Sequence, residues 1–179
     1  MDPRSEAALA TVWPDFAAKV RAAADQLATQ GTYFLVVSGL RTAAEQNALY
    51  AQGRTTPGLI VTNARAGLSM HNYGLAVDAV PYLSGSTGAL NWTPHTPQYQ
   101  AFVAAMKAQG LAWGGDWVTF PDEDHFQLAG LPANPSPAMV ADYGSGDQGT
   151  LVAIWNKAGD GAYSVFGGAP TSSPATTAA

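Results

Sequence analysis

Cysteine is absent from the 179 residues. Disulfides, thiolate metal ligands and a thiol nucleophile are therefore all excluded, and any bound metal has to be held by nitrogen and oxygen donors. Charge is also scarce. Asp, Glu, Lys and Arg make up 12% of the chain, about half of the roughly 25% usual in soluble proteins, so amides and hydroxyls do much of the solvating. The balance is acidic, with a formal net charge of -5, and Lys and Arg form no run. That excludes a nucleic-acid partner, which needs a basic footprint. Anionic wall polymers would be reached without charge steering, through a shaped cleft. No stretch approaches the roughly 20 apolar residues of a membrane span. The opening "MDPRSEAALATVWPDF" has acids and a proline where a signal peptide has a basic start and an apolar run. The expectation is a product made in the cytoplasm, needing another protein's help if its substrate lies outside the membrane.

An apolar content of 47% is enough for a real core, and there is no internal repeat, so the expected organisation is one domain and a tail. Asp2 or Ser5 caps a short first helix, and Pro14 breaks or kinks it before a second helix over about 15–30, closed by Gly31. "YFLVVS", 33–38, reads as a buried strand. Thr42 and Glu45 form a capping-box pattern that opens a helix ending at Gly53. Residues 54–74 form a long loop rich in Gly, Thr and Asn, the kind that rims a site. "LAVDAVPY" is a strand, 82–95 a polar loop, and Thr96–Pro97 start a helix that runs to Gly110. "LAWGGDWV" and "DHFQL" read as short strands joined by "TFPDE". Beyond Leu128 the composition shifts to Pro, Ala, Gly and Ser; 148–158 reads as one more helix, and 168–179 as a disordered tail behind a domain of 1–167.

The chemistry concentrates in "SMHNYGLAVD", 69–78, where six residues separate His71 from Asp78 in a chain with three histidines. An imidazole and a carboxylate joined by a tight turn can converge on one divalent ion if a third ligand arrives, and His125 in "PDEDHFQL" is the natural third. A three-ligand site of this kind leaves a place for water, whose proton is lost near neutral pH when zinc holds it. Asp122 and Asp124 are both candidates for the base that takes this proton. Asp122, three residues before His125, can reach the site only from a bend leading into the strand. His95 in "WTPHTP" lacks such a context and reads as a loop histidine. Arg41 could pair with Glu45 on the adjoining turn, and Trp92, Trp113 and Trp117 could be core or cleft.

Four blocks, "SGLRTAAEQNALYAQGR" (38–54), "PGLIVTNARAGLSMHNYGLAVD" (57–78), "GLAWGGDW" (110–117) and "DEDHFQ" (122–127), together resemble the zinc L-alanyl-D-glutamate peptidases of phage endolysins and related wall hydrolases, a branch of the D-alanyl-D-alanine carboxypeptidase superfamily. The resemblance implies an α+β fold of the hedgehog and D-Ala-D-Ala peptidase type, with a small antiparallel sheet, helices packed on one face and Zn2+ in an open groove. It implies His71, Asp78 and His125 as metal ligands, Asp122 as catalytic acid/base in preference to Asp124, and Arg41 as the contact to substrate and developing oxyanion. Ser69, Gln46 and Trp113 are further substrate contacts on this reading. The implied function is bacteriolytic hydrolysis of the peptidoglycan stem peptide at the cell wall, by a monomer of phage or cellular origin. A D,D-carboxypeptidase or dipeptidase is the nearest alternative, and a non-catalytic zinc module that binds wall fragments is an alternative of another class. No separate wall-binding module is recognisable after residue 128.

Overall fold

Asp2 accepts from the backbone N–H groups of Arg4 and Ser5 and so opens α1, Pro3–Leu9, the first element of a computed structural model that describes residues 1–144 and 146–165. Pro14 starts α2, Pro14–Ala28, at the position where its missing N–H is harmless, rather than kinking a helix already under way. After β1, Phe34–Ser38, the expected capping box is formed at Thr42 and Glu45 and opens α3, Ala43–Ala51. Then come β2, Ala76–Pro81; α4, Pro97–Ala108; β3, Leu111–Trp113; β4, His125–Leu128; α5, Pro137–Tyr143; and α6, Gln148–Gly159. Short 3₁₀ turns occupy Met70–Tyr73 and Gly114–Asp116.

The four strands form one sheet in the order β1-β2-β4-β3, antiparallel throughout. Alternation along the strands divides it into two faces. Val36, Val77, Ala79 and Phe126 enter a core with Phe16, Val20 and Leu27 of α2 and Phe102 and Met106 of α4. Each fully buried Val, Leu, Phe or Met among them stabilises the fold by roughly 1.5–3 kcal/mol relative to exposure. The opposite face carries the polar row. Ser38 is paired with Asp78 and Asp78 with His125, so three strands present these side chains side by side, and the irregularity between Val36 and Ser38 brings Ser38 into that register.

The small antiparallel sheet with helices on one face thus agrees with the expected fold. A second apolar cluster adds to it: Met139 of α5 and Leu151, Ile154 and Trp155 of α6 pack with Met70, Tyr73 and Leu75. The Trp155 indole N–H donates to the Tyr73 carbonyl at 2.7 Å, tying α6 to the turn that carries His71.

Two elements differ from the sequence reading. The strand beginning at Leu111 stops at Trp113, because Gly114 turns so close to the Asp122 carbonyl that a Cβ there would collide with it. Helix α5 lies in a segment that composition alone marked only as Pro- and Ala-rich. The expected 168–179 tail lies outside the described residues.

Candidate metal centre

Ser69 caps the 3₁₀ turn that holds His71, its hydroxyl accepting from the His71 N–H at 3.4 Å, and Gly74 closes the turn in the left-handed region at φ 63. The chain then enters β2 at once, which carries Asp78 to the middle of the polar face. His125 is the first residue of β4, directly across from Asp78. His71 Nε2 lies 3.0 Å and His125 Nδ1 3.6 Å from Asp78 Oδ1. One donor atom from each of the three residues falls within 4.8 Å of the other two.

The partners of the remaining ring nitrogens decide what these donors can do. His71 Nδ1 lies 2.8 Å from the Gly39 carbonyl, which can only accept, so Nδ1 carries the proton and Nε2 presents a lone pair. Gln127 donates its amide nitrogen to the Pro132 carbonyl at 2.8 Å, leaving its oxygen to accept from His125 Nε2 at 3.0 Å. His125 Nδ1 is then the lone-pair nitrogen. Two lone pairs and a carboxylate oxygen facing one another at this range fit a cation, and thiolate-free N and O donors suit zinc.

The charges are strongly coupled. Burial would raise the Asp78 pKa, but when the nitrogens of His71 and His125 that face it also carry protons, their charge and hydrogen bonds outweigh burial and hold the carboxyl well below the usual range. His125 is buried, which alone would depress its pKa; the hydrogen bond and charge of Asp78 prevail and raise it. Asp124 is pushed up to about 8 by burial, by a hydrogen bond with Asp122 and by the negative charges of Asp78 and Asp122.

An open groove of about 990 Å³ runs over this cluster, lined by Arg41, Ser69, His71, Asp78, Asp122 and His125 among others. Asp122 lies in the bend before β4, its backbone N–H donating to the Gly114 carbonyl at 3.1 Å. Both acids at 122 and 124 border the groove. Arg41 makes no pair with Glu45, whose carboxylate is engaged by Thr42. Its guanidinium donates to Asp78 Oδ2 at 3.1 Å, Ser38 Oγ at 3.2 Å and Gln46 Oε1 at 2.9 Å.

Two of the expected substrate contacts sit elsewhere. Gln46 is fully buried and bridges Arg41 to the Ala64 carbonyl, so it orients the arginine instead of meeting a ligand. Trp113 is in the α4 core, its indole N–H donating to the Glu123 carbonyl. Trp117 is the groove tryptophan, its ring centroid 5.0 Å from that of His125. Trp92 and His95 are exposed and lie outside the groove. Gln127 was not singled out from the sequence, although its place two residues after His125 on one strand face was a usable signal.

This sheet and this donor set have counterparts among known proteins. Residues 62–128, which contain His71, Asp78, Asp122 and His125, match the family described as D-alanyl-D-alanine carboxypeptidase. The particular relatives agree with the resemblance seen in the sequence. The peptidoglycan L-alanyl-D-glutamate endopeptidase CwlK of Bacillus subtilis (strain 168) is 39% identical over 108 residues, 56% of this chain and 64% of CwlK. An L-alanyl-D-glutamate peptidase of Listeria phage A118 is 31% identical over 67 residues, 37% of this chain and 24% of that protein. The crystal structure of the Serratia marcescens L-Ala D-Glu endopeptidase ChiX is similar with a TM-score of 0.51 and 26% identity, over 72% of this chain and 89% of that one. The chain thus spans under two thirds of either sequence relative's length.

Proposed function

We propose that the protein is a zinc peptidase that hydrolyses the L-alanyl-D-glutamate bond of the peptidoglycan stem peptide. The observation that carries the reading is the convergence of His71, Asp78 and His125, each imidazole oriented by a carbonyl partner, in an open groove of about 990 Å³. The names of three relatives supply the bond. His71 Nε2, Asp78 Oδ1 and His125 Nδ1 would hold the ion. When bound, zinc polarises a carbonyl and lowers the pKa of a coordinated water.

The chain's own groups do the rest. Asp122 takes a proton from the attacking water and returns it to the leaving nitrogen, with Asp124 bonded to it as a local proton partner. Arg41 holds Asp78 through one nitrogen while its guanidinium borders the groove, where it stabilises charge that develops on the scissile carbonyl oxygen. Ser69 is available to the substrate backbone. Residues 1–167 act as one catalytic unit, a monomer working at the cell wall, and the phage relative supports a bacteriolytic, endolysin-type role.

Digestion of purified walls followed by mass analysis of the fragments tests this reading. New amino-terminal D-glutamate is expected. Release of terminal D-alanine alone would favour the second reading, a D,D-carboxypeptidase, which the family's description supports. A binding module without activity is disfavoured by Asp122 and Arg41, which binding alone does not require.

A further inference from the structure

The eight Lys and Arg residues are unevenly neutralised. Arg21, Arg41, Lys107 and Lys157 each meet a carboxylate. Among the described residues, Arg4, Lys19, Arg54 and Arg65 form no ion pair, and the last two lie together. Their guanidinium carbons stand 4.1 Å and 4.9 Å from the centroid of the Tyr50 ring. Arg54 donates to the carbonyls of Tyr50 and Thr62 at 2.8 and 2.9 Å and to Asn63 Oδ1 at 2.8 Å, fastening the loop to the end of α3. Arg65 also draws the pKa of the Tyr50 hydroxyl down.

This pair adjoins the groove, which Leu49, Thr62, Asn63 and Ala64 line from the same two segments. The other loop that borders the groove contributes Asp116, Asp122 and Asp124. The two guanidinium groups therefore stand beside one border of the groove, while Asp116 on the other segment is already paired with Lys107. Two guanidinium groups gathered on one ring repel each other, and an anion placed between them relieves that repulsion.

We propose that Arg65, steadied by Tyr50 and Arg54, forms with Arg54 a carboxylate-recognition subsite at the rim of the groove, and that its ligand is the free carboxylate of the D-glutamate residue. The identity of the ligand rests on the peptidase reading above. Glutamate has two carboxyl groups and only one continues the peptide, so the other remains an anion close to the scissile nitrogen unless it is amidated. A planar guanidinium matches a carboxylate in a way that a neutral amide does not. The subsite thus sets the direction in which the stem lies and discriminates free-acid from amidated stems.

Calorimetric titration of the full chain with two short γ-linked peptides beginning at D-glutamate, one with the free carboxylate and one with its amide, tests the assignment. The free acid should bind about tenfold tighter at low salt, and added salt should narrow the gap. In Arg65→Gln the two affinities should converge, and Arg65→Lys should restore part of the difference. Equal affinities in the wild type, or a gap that survives in Arg65→Gln, would overturn the subsite. If discrimination is present but neither wall nor stem peptide is cleaved with zinc supplied, the subsite stands and the peptidase reading falls. Cleavage without discrimination has the opposite meaning.

Discussion

At the scale of single residues, the proposed mechanism gives the holding of the ion and the moving of the proton to different side chains. His71→Ala removes a donor atom and should abolish stoichiometric zinc binding, measured by metal analysis after dialysis. Asp122→Asn keeps the shape and the three donors, so zinc content and fold should persist while turnover on stem peptide drops by about 10²–10⁴-fold. Gln127 is buried outside the groove lining, yet it fixes which nitrogen of His125 is free; Gln127→Leu should weaken zinc binding by about 10–100-fold, with a mixed tautomer at His125 visible by nitrogen NMR. The acids give the metal-free protein a signed pH response. Asp124 is raised from 3.8 to about 8, so its contribution to stability is complete below the lower value and is lost as pH rises through the upper one. His125, also raised, acts in the same sense. The denaturation midpoint of the stripped protein should therefore be lower at pH 9 than at pH 6, and Asp124→Asn should flatten much of that slope; a midpoint that rises with pH would contradict it.

At the scale of elements, the helix starts were readable because their chemistry is local. Asp2, Thr42 and Thr96 are followed by the residues a cap requires, and each accepts the expected backbone N–H. Thr42→Ala should cost about 1 kcal/mol in chemical denaturation. The strands carrying Asp78 and His125 were equally legible from their alternation. The end of β3 was not, because it depends on a close approach between Gly114 and a carbonyl eight residues away. Nor was α5, whose Ser136 cap and Pro137 start were present but hidden in a stretch of plain composition. Helix α6 matters beyond its own packing, since Trp155 bonds the Tyr73 carbonyl behind His71. Trp155→Ala should destabilise by about 3–5 kcal/mol and loosen metal binding, although Trp155 contacts no ligand atom.

At the scale of the whole molecule, the site exists only because three segments meet. A turn before β2, the middle of β2 and the start of β4 supply one donor each, and the pairing of Asp78 with His125 sets their spacing. The donors could be picked from the sequence because histidine is rare here and the motifs are dense in meaning. The burial of Gln46 and Trp113 could not, since which side of a short helix or strand faces a groove depends on what packs behind it. On the proposed function, the low charge of the chain leaves affinity for the wall to the groove itself. Zinc titration of the metal-stripped full chain, with binding stoichiometry and stem-peptide cleavage followed together, tests the central claim most directly. One equivalent should bind and restore turnover in step, and neither should occur in Asp78→Ala. Cleavage by the stripped protein at the rate of the loaded one, or undiminished zinc uptake by Asp78→Ala, would contradict the account.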